Sequence, residues 1–171
     1  MSSTNSYNIT ECRLDGINLS HTYMFGNVIR KSSFRNAKFI GTILRAAYAD
    51  HCDFSSSDFR DSDLKNIDFT KSNLSGCNFN NSRLNGANMS YADLSMADLR
   101  NAKLIKIKLH KTKLYGCKID VDQMQSIGLD NIFSNNMKVY FENKLLSDEE
   151  AHAYFKEKFK VIYAFWKKDY L

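Results

Sequence analysis

Four histidines and four cysteines are the side chains in this sequence best suited to bind a metal or attack a substrate, and their spacing suits neither task. His21, His51, His110 and His152 are scattered, with no pair at ligand spacing. Cys12, Cys52, Cys77 and Cys117 are separated only by multiples of five residues. The stretch 26–32, Gly-Asn-Val-Ile-Arg-Lys-Ser, has the outline of a phosphate loop, but Arg30 stands where that loop requires glycine and no helical pattern follows. The charged residues are more ordered. Asp50, Asp53, Asp58, Asp61, Asp63 and Asp68 form an acidic belt, and Arg100, Lys103, Lys106, Lys108, Lys111, Lys113 and Lys118 a basic one with no acid among them. Such belts either keep a stacked fold in register as solvated ladders or dock partners of opposite sign. Nothing here resembles a catalytic constellation, so the sequence argues against an enzyme and calls for no cofactor.

The spacing of these residues comes from the scaffold. From Phe54 every fifth residue is large and apolar: Phe54, Phe59, Leu64, Phe69, Leu74, Phe79, Leu84, Met89, Leu94 and onward to Leu114. Two places before each stands a small or thin residue, such as Cys52, Ser57, Ser62, Ala92 or Ala97. Period five fits neither a helix, at 3.6, nor a strand, at 2. The unit must turn a corner every five residues, and such repeats are to be recognised before anything else.

Ala92-Asp93-Leu94-Ser95-Met96 and Ala97-Asp98-Leu99-Arg100-Asn101 match A(D/N)LXX outright, and the repeat resembles the pentapeptide-repeat family. The register runs without insertion from Leu14 to Ile119. The resemblance implies an all-β solenoid, a right-handed quadrilateral β-helix with four pentapeptides per coil. That makes about 5.5 coils and a rod roughly 26 Å long at strand spacing. The expected organisation is an N-terminal tail over 1–10, the β-helix over 11–121, a capping helix and connector over 122–146, and an aromatic amphipathic α-helical appendage over 147–171. All four cysteines take the small inward position, and on this fold they read as free, reduced core thiols too far apart for disulfides. The glycines Gly16, Gly26, Gly41, Gly76, Gly86 and Gly116 all fall at the corner, where φ > 0 is tolerated.

Composition agrees. The chain of 171 residues has net charge +5 and no proline, as suits a ladder in which nearly every N–H is a donor. It shows neither the core of a signal peptide nor a run long enough for a membrane span, so a cytoplasmic protein without membrane attachment is the expectation.

Two regions carry more apolar surface than the repeat explains. Tyr23, Phe25, Val28, Ile43 and Tyr48 occupy outward positions, with Tyr23 expected to stack on Ile43 and Val28 on Tyr48. They form either a surface under the N-terminal tail or a partner-binding patch. In the final helix Ser147 and Glu150 have the spacing of a capping box. Phe155, Phe159, Ile162, Phe165 and Trp166 form an apolar stripe that either packs on the rod or joins a homodimer.

These features point to a non-catalytic, rigid protein-binding rod. An alternative follows from the resemblance: some members of the family protect bacterial DNA gyrase as dimers whose surfaces imitate B-form DNA, so the partner could be DNA gyrase. This chain is similar in its uninterrupted rod and aromatic C-terminal helix but is net basic, and residues 50–99 carry only 8 acids against 4 bases, or −4. A second alternative is polyanion binding by the basic coil 100–118. A nucleic acid is the less expected ligand there, because the lysines ring the rod and do not line one groove.

Overall fold

In the computed structural model, which describes residues 7–127, 137–142 and 144–158, the chain winds so that residues twenty apart pair in parallel. The pairing begins at Asn8↔Val28 and continues through every fifth residue to Asp98↔Lys118. Four pentapeptides therefore close one coil, and the residue before each large one recurs in four outward columns. The Tyr23 face carries Tyr23, Ile43, Asp63, Arg83 and Lys103; the Tyr48 face Asn8, Val28, Tyr48, Asp68, Asn88 and Lys108. The Asp53 face carries Arg13, Ser33, Asp53, Asn73, Asp93 and Lys113; the Asp58 face Asn18, Lys38, Asp58, Asn78, Asp98 and Lys118.

Each residue type in the unit has its own task. The central N–H donates to the next coil, as Phe34 N does to Asp53 O at 2.7 Å, while its neighbour donates to the previous coil, as Ser33 N does to Cys12 O at 2.8 Å. Ala37 N closes the corner on Phe34 O at 3.1 Å. The Asp or Asn before the centre accepts from the N–H two residues on: Asp53 Oδ1 from Ser55 N at 3.0 Å, Asp93 Oδ1 from Ser95 N at 2.9 Å. That local bond turns the chain, which is why a short polar side chain recurs there. The small inward residue serves the carbonyls. Ser57 Oγ accepts from Ala37 N at 3.0 Å and donates to Phe34 O at 2.6 Å, and Cys77 Sγ donates to Phe54 O at 3.0 Å.

The large residues fill the bore. Phe39, Phe59 and Phe79 stack with centroids 4.8 and 5.1 Å apart and rings within 8° of parallel, and Phe34 lies on Phe54 at 5.2 Å. All five are fully buried.

Beyond the repeats come strand β1 (Lys118–Asp120), a 3-10 turn (Val121–Gln123), helix α1 (Met124–Ile127), strands β2 (Lys138–Phe141) and β3 (Lys144–Leu145), and helix α2 (Asp148–Lys158). β2 pairs in parallel with β1 at Lys118↔Lys138, again twenty residues on, and β3 closes on β2 antiparallel. Gln123 plugs the last coil: its Nε2 donates to Leu99 O at 2.6 Å and Ala102 O at 2.8 Å, and its Oε1 accepts from Asp120 N at 2.9 Å.

Several expectations need correction. The ladder starts at Asn8, inside the expected tail, because Ile9 N reaches Val28 O at 2.7 Å. Cys12 is exposed, since it belongs to the first coil of the described ladder; Cys52, Cys77 and Cys117 are buried and free. The cap begins as a 3-10 turn at Val121, and the stretch expected as a connector holds two strands that extend the Asp58 face. The capping box is as expected: Ser147 N donates to Glu150 Oε2 at 2.8 Å and Glu150 N to Ser147 Oγ at 3.2 Å. Ala151 is buried, and Tyr154 packs partly buried against the core. Residues 159–171, with Phe159, Ile162, Phe165 and Trp166 of the expected stripe, lie outside the described residues.

Candidate interaction surfaces

Burial removes Cys52, Cys77 and Cys117 from chemistry. Desolvation pushes the Cys52 thiol up to about 11 and Cys117 to about 12, and raises Cys77 as well, so none of these three forms a reactive thiolate at neutral pH. His21, His51 and His110 are all exposed. Among the described residues no group of His, Cys, Asp and Glu could hold a metal ion, and no helix is long and apolar enough to cross a membrane.

The N-terminal coils bring the apolar residues together. Tyr23, Phe25 and Tyr48 are 62%, 43% and 48% exposed; Val28 and Ile43 are half-buried beside them. The Tyr23 and Phe25 rings stack at 6.4 Å. Tyr23 pairs with Ile43 and Val28 with Tyr48 across coils, and the Arg30 guanidinium lies 5.3 Å from the centre of the Tyr48 ring. The patch thus spans the Tyr23 and Tyr48 faces at one end of the rod.

The acidic belt is placed as a ring, with Asp53, Asp58, Asp63 and Asp68 on the four faces of one coil, but arginines neutralise much of it. Arg60 grips Asp58 at 2.7 Å. Arg45 reaches Asp63 at 2.7 Å, with Arg83 at 3.7 Å from the other side. Arg35 approaches Asp53 at 4.0 Å. Burial would raise the Asp50 carboxyl, yet hydrogen bonds from His51 and Arg30 hold it below its ordinary value. Asp61 stays exposed, and Asp68 accepts from Thr70 N at 2.9 Å. This pairing was not legible in the sequence, because the partners lie 2, 18 or 20 residues away across corners and coils.

The basic belt is different. Arg100 is committed to Asp98 at 2.7 Å and to the ring of Tyr140 at 4.7 Å. Lys113 meets Asp93 at 3.4 Å. Lys103, Lys106, Lys108, Lys111 and Lys118 form no ion pair among the described residues. Exposed Tyr91, Met96, Ile105 and Tyr115 stand among these side chains. A cleft of about 430 Å³ opens where the last coil meets the cap, lined by residues including Asn101, Asp120, Asp122, Tyr140 and Glu142.

The family model for pentapeptide repeats matches residues 29–66, 67–104 and 83–119, with eight copies in all. Among solved structures the chain is similar to a pentapeptide repeat protein (Rfr23) from the cyanobacterium Cyanothece 51142, at 21% identity and TM-score 0.60, over 61% of this chain and 85% of that one. It is also similar to a pentapeptide repeat protein from the Arabidopsis thaliana thylakoid lumen, at 22% identity and TM-score 0.43, over 63% and 64% of the two chains. A third is trypsin-treated QnrB1, a plasmid-mediated fluoroquinolone resistance protein, at 18% identity and TM-score 0.49, over 67% and 75%. No curated protein matches the sequence. The likeness to the cyanobacterial protein is one of fold, a right-handed β-helix.

Proposed function

The chain belongs to the pentapeptide-repeat family, and from that premise we propose that it is a non-catalytic rod that binds a protein partner through its N-terminal apolar patch. The observation that carries this reading is the joined surface of Tyr23, Phe25 and Tyr48, exposed beside a bore whose phenylalanines are fully buried. Contiguous apolar surface of this kind marks protein contacts. The variant Tyr23→Ser/Phe25→Ser/Tyr48→Ser should keep the wild-type melting curve, because these side chains lie outside the core. The test is affinity capture from cell extract: a protein held by the wild type and released by the variant is expected. Identical captures from both would remove the patch from the reading.

Homodimerisation through Phe155, Phe159, Ile162, Phe165 and Trp166 belongs to the same proposal and rests on their spacing in the sequence. Light scattering on the full chain and on Phe159→Ser/Trp166→Ser tests it: a dimer that becomes a monomer supports the joint, and a monomer in both removes it. A DNA-mimic that protects gyrase is the second reading. Asp53 and Asp93 on one face, with Asp58 and Asp98 on the next, supply its negative columns. The arginines bound to Asp58, Asp63 and Asp98 weaken it, since a phosphate mimic needs unpaired charge. A supercoiling assay with bacterial gyrase and a quinolone should therefore show no protection.

A further inference from the structure

The far end of the rod carries a second surface, independent of the apolar patch. Lys108, His110, Lys111 and Lys113 follow one another around a single corner of the last complete coil. Tyr91 lies directly beneath Lys111, one coil back, and its N–H donates to His110 O at 2.8 Å. Its ring meets the His110 imidazole edge-on at 5.3 Å, and the Lys111 ammonium stands 5.8 Å from the ring centre. Tyr91 remains 49% exposed. Beneath Lys108 is Asn88, and beneath Lys113 is Asp93, the one carboxylate paired with a lysine of this corner among the described residues. Much of the acidic belt is matched by arginines, whereas this corner is left with a surplus of positive charge around an exposed aromatic ring.

We propose that this corner docks an acidic protein segment, whose carboxylates pair with Lys108, Lys111 and Lys113. Three observations favour a carboxylate chain over a nucleic acid. Arg100, which could fork onto a phosphate, already has its Nε and Nη2 on Asp98 and its face on the Tyr140 ring. The Tyr91 ring has Lys111 over its face and His110 at its edge, and so offers no open platform for a base. The remaining lysines encircle the rod axis and do not follow a track that a phosphate backbone could take. Compact ammonium groups crowded on one corner suit a short run of glutamates or aspartates.

The test uses the full chain and fluorescence anisotropy of labelled decaglutamate, beside a thymidylate oligomer of equal charge. Decaglutamate should bind at low salt and weaken as salt rises. Lys108→Gln/Lys111→Gln/Lys113→Gln should weaken binding about tenfold or more. The control Lys31→Gln/Lys38→Gln/Lys71→Gln, which removes equal charge from exposed sites elsewhere, should weaken it by less than about threefold. All six positions are exposed, and circular dichroism verifies the fold of each variant. Tyr23→Ser/Phe25→Ser/Tyr48→Ser should bind decaglutamate as the wild type does, so the two surfaces stand or fall separately. Absence of decaglutamate binding, equal loss in both lysine triples, or tighter binding of the thymidylate oligomer would each overturn the proposal, the last by assigning the corner to nucleic acid.

Discussion

At the corners of this rod, alanine, lysine, methionine and tyrosine adopt a backbone conformation usually left to glycine. Every fifth residue from Glu11 to Gly116 has positive φ, including Ala46 at +52° and Met96 at +64°. A residue with a Cβ is strained there by about 1–2 kcal/mol, so Ala46→Gly should stabilise the protein by about 0.5–1 kcal/mol after glycine's greater freedom when unfolded is counted. A raised urea midpoint checks this; a lowered one would mean that chain entropy outweighs the strain. The six glycines made the corner visible in the sequence, but the other residues there did not, because the scaffold imposes the conformation against their preference. Asp15 gives a second residue-scale prediction. The Arg35 guanidinium, and after it the Ser33 hydroxyl, hold its carboxyl far below the ordinary value of 3.8. A carboxyl depressed on folding contributes stability that is full above the unfolded value and lost as pH falls toward the folded one. Asp15→Asn should therefore unfold more readily than wild type at pH 7, and the gap should narrow below about pH 4. Urea midpoints at both pH values would show it, and a gap constant with pH would rule out the carboxylate as its source.

The element to which most of the stability belongs is the column. Phe59 has a parallel ring above and below it and edge-on contacts with Phe54 and Phe69. Phe59→Ala should cost about 3–5 kcal/mol, and Phe59→Arg should leave no cooperative melting transition, since an unpaired charge would enter a dry core. A native-like melt for Phe59→Arg would put the whole register in error. The cap has its own test. Gln123→Ala would strip the donors from Leu99 O and Ala102 O and should cost about 1–3 kcal/mol, read as faster hydrogen exchange at the last coil than at the first. The columns were legible because apolar spacing and small inward residues set them together. The cap was legible only in part. Lys138 stands twenty residues after Lys118 and so keeps the coil's period, but the intervening residues lack the five-residue pattern that would have drawn attention to it. The capping box of α2 was fully readable, because its two bonds join residues three apart and depend on nothing distant.

For the molecule as a whole, the sequence distributes charge by coil, but the structure decides which charges remain available. The acidic belt and the basic corner look equivalent as strings of residues. They differ because arginines at coil spacing or across a corner fold onto the aspartates, while among the described residues no carboxylate pairs with Lys108 or Lys111. Binding at the basic corner should accordingly weaken steeply with ionic strength, and binding at the apolar patch should respond little.

One consequence of the twenty-residue pitch concerns how such a chain could diversify. Excising or adding one five-residue unit in the middle coils, for instance residues 72–76, leaves every inward position inward and every hydrogen-bonding role filled. It rotates whatever follows by about a quarter turn relative to whatever precedes it. Excising or adding four units restores the original bearing and changes only the separation, by about 4.8 Å. The rod therefore acts as an indexing shaft between the Tyr23 patch and the Lys111 corner. A genetic step of fifteen nucleotides sets the angle between them, and one of sixty sets only the distance.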